Sequence, residues 1–175
     1  MQFLAISGSL RAASTNSSLL RAAAVLAPED VTVNFYDELG SLPHFNPDMD
    51  NAPPPNSVAR FRQQLRSAAG VIISTPEYAH GVPGALKNAL DWLVASETFA
   101  GKPTMLINTS PRAFHAQASL REILSTMAAR LIPEAFASIS LTGTAATADD
   151  ILADPVCAQR LKESLEALIA AIRAG

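Results

Sequence analysis

Two stretches of the chain hold the residue types from which a binding site can be built. The first reads Gly8-Ser9-Leu10-Arg11-Ala12-Ala13-Ser14-Thr15-Asn16-Ser17-Ser18. Hydroxyls and an amide crowd it, one Arg stands among them, and no acidic residue occurs from Met1 to Pro28. Ser and Asn side chains donate hydrogen bonds, and a guanidinium fork matches the oxygens of phosphate. A helix starting within the stretch adds its unpaired N–H groups and its positive dipole end to the same anion site. Ser, Thr and Asn are also the preferred helix caps, so one or two of them need no ligand. The remaining hydroxyls, with Arg11, exceed what a cap requires and favour a phosphate cradle. No Gly-Lys-Ser/Thr follows, so this is not a P-loop, and the G-x-G-x-x-G dinucleotide fingerprint is absent.

The second stretch is Thr75-Pro76-Glu77-Tyr78-Ala79-His80-Gly81-Val82-Pro83-Gly84, running on to Trp92. Pro76 and Pro83 stiffen it, and Gly81 and Gly84 permit close backbone approach, as the wall of a slot for a flat ring requires. Tyr78 can stack on a substrate or pack inward. His80 offers an imidazole, the side-chain type suited to proton transfer, or it simply bonds to a neighbour. No Gly-x-Ser-x-Gly elbow exists to make a hydrolase nucleophile of Ser7, Ser9 or Ser110. Cys157 is the single cysteine, so no internal disulfide or Cys-rich metal site can form. It reads as a small filler at the start of the last helix. His44, His80 and His115 lack a spacing that puts two on one metal.

Both stretches sit between elements that position them. Phe3–Ile6 is an apolar run ending at Ser7-Gly8-Ser9, and Leu19, Leu20, Ala23, Ala24 and Ala27 then recur at helical spacing. Val31–Tyr36 alternates as a strand, and Val58, Phe61, Leu65 and Ala68 mark a second helix. Gly70–Ser74 is a continuous apolar run of the kind a strand buried on both faces requires. A helix follows from Pro83 to Ser96, with Leu86, Leu90, Leu93 and Val94 toward the sheet, then a strand at Thr104–Asn108. Leu120, Leu124, Met127 and Leu131 predict one further helix, Ala137–Leu141 a fifth strand, and Leu161 to Ile172 the last helix.

This alternation predicts an α/β fold: a five-stranded parallel sheet in the order 2-1-3-4-5 with helices on both faces. In that order strands one and three are neighbours, and ligands bind where the chain reverses direction at their carboxyl ends. The two unusual loops therefore converge on one crevice. Between strand two and the second helix lies a loop of roughly twenty residues holding the Pro-rich stretch Asp50–Asn56, beyond the ~12–15 at which loops are usually functional or mobile. A plain surface excursion accounts for it equally well.

Composition narrows the classes. The chain of 175 residues is 49% hydrophobic and 17% charged, too apolar for disorder and suited to one domain over 1–175. A net charge of −3 without a basic block argues against binding nucleic acid or an anionic membrane. MQFLAISGSL lacks a basic n-region and no segment has the ~18 apolar residues of a membrane span. The expectation is a cytoplasmic protein. Five βα units use nearly all of this length, so whatever ligands the chain takes would share the one crevice.

GSLRAASTN followed at this distance by PEYAHGVPGALKNALDW resembles the NAD(P)H-dependent FMN reductase family, flavodoxin-like enzymes that include quinone, azo-dye and chromate reductases. The likeness runs from strand one to about residue 95 and takes in LPHFNPDMD. It implies a three-layer flavodoxin-like sandwich, FMN as cofactor and NADPH or NADH as electron donor. By position, Ser9, Arg11, Ser14, Asn16 and Ser17 match the segment that holds the FMN phosphate. Pro76, Glu77 and Tyr78 match the loop along the isoalloxazine ring, which acts largely through its backbone. Members often have Asn where this chain has Ala79, and many carry a Gly-rich turn where it has Thr109-Ser110-Pro111-Arg112-Ala113. Ser110 can still touch the ring. Arg112 either attracts phosphate or is a solvated loop residue. No side chain is nominated as catalytic, because the flavin carries the reactivity.

The implied activity is ping-pong transfer of electrons from NAD(P)H through FMN to a quinone or similar small acceptor. A flavodoxin-like carrier without nicotinamide turnover is the alternative, although carriers are usually strongly acidic. A module that senses a phosphorylated ligand is a third reading. Ala85, Ala89 and Trp92 widen the apolar arc of the helix after Pro83, and a Trp beside small residues suits an interface anchor. The resemblance likewise implies a homodimer, possibly a tetramer. Alternatively, Trp92 packs inside the monomer.

Overall fold

The computed structural model describes residues 1–50, 53–110, 113–140 and 146–175. Its sheet is built from β1 (Gln2–Ser7), β2 (Thr32–Phe35), β3 (Gly70–Ser74), β4 (Pro103–Asn108) and two short pieces, β5 (Arg130–Leu131) and β6 (Ala137–Ser138). All pairings are parallel and the order is β2-β1-β3-β4-β5, with β6 also on β4. The helices are α1 (Thr15–Leu26), α2 (Asn56–Ser67), α3 (Gly84–Val94), α4 (Phe114–Thr126), α5 (Ala148–Ala153) and α6 (Pro155–Arg173). The expected strand order therefore holds, with a short extra helix before the last one.

Strand periodicity divides the core into two layers. Leu4, Ile6, Val71, Ile73 and Leu106 face α2, α3 and α4, while Phe3, Ala5, Ile72, Met105 and Ile107 face α1, α5 and α6. Val71, Ile72 and Ile73 are all fully buried, as a central strand covered on both faces demands.

Three expectations need correction. Leu131 does not continue α4, which stops at Thr126. The N–H groups of Ala129 and Ala128 bond back to the carbonyls of Leu124 and Ser125, and Ala128 takes φ 56°. This is a Schellman ending with Ala in the left-handed position usually given to Gly. Leu131 instead lies in β5, beside Thr104. The fifth strand is split as well. Pro133 has no N–H to extend the ladder, a 3-10 turn at Pro133–Ala135 intervenes, and pairing resumes with Ala137 beside Ile107. Leu141, the expected end of that strand, lies outside the described residues. Val94, expected to face the sheet, is 65% exposed.

The long connection after β2 is a packed cover rather than a loose excursion. Trp92 is fully buried inside the monomer; its Nε1 donates to the Pro43 carbonyl (2.7 Å) and Phe45 meets its ring edge-on. Asn88 clamps the same segment, accepting from Phe45 N (2.7 Å) and donating to Pro43 O (3.0 Å). Ala89 is buried and Ala85 packs against the core, so this flank of α3 is already covered and Trp92 is not an interface anchor. Arg62 on α2 closes the arrangement. It donates to the carbonyl of Trp92 and forms an ion pair with Asp50 (2.8 Å), both side chains being largely buried. Arg62→Leu leaves the Asp50 carboxylate buried without its counter-charge and should cost about 3 kcal/mol in urea unfolding. The double variant Arg62→Leu, Asp50→Leu should recover most of that loss.

Candidate functional site

The first loop leaves β1 at Ser7 and enters α1 at Thr15. Gly8 N–H donates to the Ser74 carbonyl (2.8 Å), so the carboxyl ends of β1 and β3 are joined directly beneath the crevice. The approach is closer than a side chain allows: a Cβ on Gly8 would lie 2.2 Å from Thr75 Oγ1. Asn16, buried at the start of α1, accepts from Ser74 Oγ through its Oδ1 (2.9 Å) and fixes the helix to β3. Ser14 is the N-cap of α1 and accepts from Ser17 N (3.3 Å). Ser17 Oγ donates to Ser7 Oγ (2.9 Å), and Ser9 Oγ accepts from Arg11 N (3.4 Å).

Much of the expected cradle is therefore partly engaged in holding its own shape. Ser14 does cap, and the oxygen of Asn16 points inward to Ser74. What faces outward is Arg11, which is exposed and forms no ion pair among the described residues. Ser7, Ser74 and Thr75, the polar anchors beneath the loop, were not singled out from the sequence. Their importance depends on pairing across β1 and β3, which no local spacing reveals.

The third loop is stiffer than its glycines imply. Tyr78 and Gly81 exchange backbone hydrogen bonds (3.1 and 2.9 Å) across a two-residue turn. The turn's central residues, Ala79 (φ 48°) and His80 (φ 58°), both take left-handed conformations. Turns of this kind favour Asn or Gly at the first of these positions, so Ala79 sits there at a conformational cost. Pro76 is half-buried and Tyr78 is 52% exposed. Glu77 turns away from the turn, and its carboxylate accepts from Ala116 N (2.8 Å) in the first turn of α4. Negative charge there is favoured by the helix dipole. His80 stacks on His115 (ring centroids 4.3 Å apart), which also meets Phe114. The contact is a ring stack rather than a hydrogen bond.

The two loops meet in a cleft of about 340 Å³ whose walls include Leu10, Arg11, Tyr78, Gly84 and Ala85. A Cβ on Gly84 would meet nothing within 4 Å, so the glycine keeps that wall low. Ser110 stands apart from this cleft at the end of β4, its N–H donating to Asn108 Oδ1 (3.0 Å). Pro111 and Arg112 lie outside the described residues. Cys157 is buried at the start of α6, and burial pushes its thiol pKa up, as suits an inert filler. Among the described residues no cluster of metal-ligating side chains occurs.

A parallel sheet in this order, with β1 and β3 adjacent and helices on both faces, defines a flavodoxin-like fold. The family model for NADPH-dependent FMN reductase matches residues 1–143, and the chain belongs to that family. It is thus an oxidoreductase that uses FMN and NAD(P)H. It is 33% identical over 173 residues to an NAD(P)H-dependent FMN reductase of Pseudomonas aeruginosa, covering 96% of this chain and 93% of the relative. It is 42% identical over 130 residues to a 2-hydroxy-1,4-benzoquinone reductase of a Burkholderia species, covering 70% of this chain and 69% of that one. Among solved structures, the flavoenzyme NAD(P)H:(acceptor) oxidoreductase FerB of Paracoccus denitrificans superposes with a TM-score of 0.87 at 31% identity, over 99% of this chain and 97% of FerB.

The contact of Gly8 with Thr75 yields a direct test. Gly8→Ala must push Thr75 away and separate the two loops, at a cost of about 2 kcal/mol in denaturant unfolding and a clear loss of FMN affinity. Unchanged stability and affinity would show that the crevice tolerates a wider spacing.

Proposed function

We propose that this chain, as one domain over 1–175, reduces a quinone or similar two-electron acceptor at the expense of NADPH or NADH, with FMN seated over the carboxyl ends of β1 and β3. The observation that carries the reading is the convergence of the Gly8–Ser17 loop and the Pro76–Tyr78 loop on one cleft. The quinone as acceptor is supported by the Burkholderia relative and by quinone reductases at 35–37% identity.

In this reading Arg11 supplies the charge that attracts the FMN phosphate, and the start of α1 supplies N–H groups toward it. The hydroxyls of Ser9, Ser14 and Ser17 add polar contacts while holding the loop closed. Asn16 keeps α1 in place against β3. Pro76, Glu77 and Tyr78 hold the backbone wall along the ring, and Ser110, outside the cleft at the end of β4, would meet only a ring edge that extends to that side. Bound flavin would supply the hydride and electron-transfer chemistry, so no side chain is required as nucleophile. An accessible cleft lets donor and acceptor take turns. The net charge of −3 is small for a carrier that docks electrostatically on partners, which supports enzyme over carrier. The one cysteine, buried and free, fits a cytoplasmic setting, and no helix among the described residues is long and apolar enough to cross a membrane.

Reconstitution with FMN followed by anaerobic NADPH or NADH tests the activity. Rapid bleaching of the flavin spectrum, reversed by adding a quinone, is the expected result. Stable FMN binding without bleaching would point to the carrier, and absence of binding would overturn both. Arg11→Ala should weaken FMN by about tenfold or more while leaving riboflavin nearly unaffected, since only FMN has the phosphate. Equal losses for the two flavins would remove Arg11 from the phosphate site.

We also infer a homodimer, supported by the family resemblance and by exposed Leu10 and Tyr78. Light scattering after gel filtration should give twice the 18.4 kDa chain mass or a larger multiple. Trp92→Phe should lower thermal stability without changing that mass, because Trp92 serves the monomer core. Dissociation on this substitution would restore Trp92 as an interface residue.

A further inference from the structure

A second cleft, of about 300 Å³, opens on the other side of β4, and it shares no lining residue with the one described above. One wall is a face of α4 that presents Phe114, Gln117 and Arg121 at helical spacing. The opposite wall is the sheet edge, where Asn108 of β4 stands beside Ser138 of β6, with Phe136 entering from the turn before β6.

The polar groups here are poorly satisfied by the protein itself. Gln117 is only 7% exposed, and its buried Nε2 has no hydrogen-bond partner among the described residues. An orphaned buried amide donor of this kind is costly and rarely retained without use. Rotation about its last torsion exchanges Nε2 with Oε1, so the amide can turn its donor toward an incoming oxygen. Arg121 lies 4.8 Å from the centre of the Phe136 ring and forms no ion pair among the described residues. Asn108 has its oxygen engaged by Ser110 N, which leaves its amide N–H groups as donors. Among the described residues no carboxylate lines the cleft. Its walls are therefore rich in donors, positive and flanked by two aromatic rings, with Phe114 60% exposed at the rim.

We propose that this cleft binds a small aromatic anion, a single ring bearing a carboxylate or an acidic ring oxygen. Arg121 pairs with the anionic oxygen, Gln117 donates to a second oxygen, and Phe114 and Phe136 contact the ring faces. The volume is at the low end of ordinary ligand pockets, which restricts the occupant to about one ring. The site does not depend on flavin binding.

Fluorine NMR of 4-fluorobenzoate with the full chain, with and without FMN, tests this. Saturable binding at about 1 mM or tighter is expected. The neutral 4-fluorobenzamide should bind at least about tenfold more weakly, as should 4-fluorobenzoate to Arg121→Gln. Gln117→Leu should weaken it several-fold. Thermal melts confirm that the variants are folded, and FMN titration of Arg121→Gln should match that of the parent chain. No saturation up to about 10 mM, equal binding of acid and amide, or full binding by Arg121→Gln would each overturn the proposal. So would abolition of binding by Arg11→Ala, which would place the ring in the other cleft. Loss of a dimer in Arg121→Gln, without benzoate binding by the parent, would assign the cleft to a second copy and overturn it as well.

Discussion

The missing side chain of Gly8 governs the geometry of the crevice. With no Cβ, the backbone leaving β1 can lie against Thr75 and donate its N–H to the Ser74 carbonyl. That contact brings the ends of β1 and β3 to one level, and both site loops start from there. Asn16 then bonds to Ser74, so the start of α1 is referenced to the same strand. The loop after β1 is thus positioned by β3 at two points, one in backbone and one in side chain. A displacement of β3 would carry the first loop and the third loop together.

The same economy appears around the third loop. Its two-residue turn places Ala79 and His80 at positive φ, which isolated chains avoid. Contacts at both ends offset this: Glu77 caps α4, and His80 stacks on His115. The loop is thereby held to α4 as well as to β3, and α3 begins immediately beyond it at Gly84. On α3, Asn88 and Trp92 hold the long connection after β2 in place. Separate contacts thus brace the strand ends, the third loop and the cover over α3. These contacts hold the wall of the crevice at several points, while the side chains of Arg11 and Tyr78 stay exposed beside it.

Strand order and the central elements were legible because burial on both faces writes a simple pattern. Gly70–Ser74 reads as a buried strand for the same reason that it is one. The errors arose where a residue does work usually done by another type. Ala128 ends α4 in a conformation that Gly normally signals, so the helical spacing ran on to Leu131. Pro133 interrupts an edge strand, which only a knowledge of pairing can show. Trp92 looked like an anchor because small residues flank it, yet Pro43 and Phe45 reach it from about fifty residues away in sequence, and long-range closure has no local signature. The same limit hid Ser74, Thr75 and the cap made by Glu77.

The candidate site residues divide by what their side chains already do. Ser14, Asn16 and Glu77 each satisfy a backbone or buried group of the protein, so their identities are required by the fold as much as by any ligand. Arg11 and Tyr78 line the cleft with exposed side chains that no comparable fold contact requires. Under the proposed function, substitution of the first group would alter stability and cofactor affinity together, through the shape of the loops. Substitution of the second would alter affinity at nearly constant stability. The short motifs that made the family recognisable are therefore mixtures. Part of each encodes a loop conformation, and the smaller part, centred on Arg11 and Tyr78, encodes what that conformation presents.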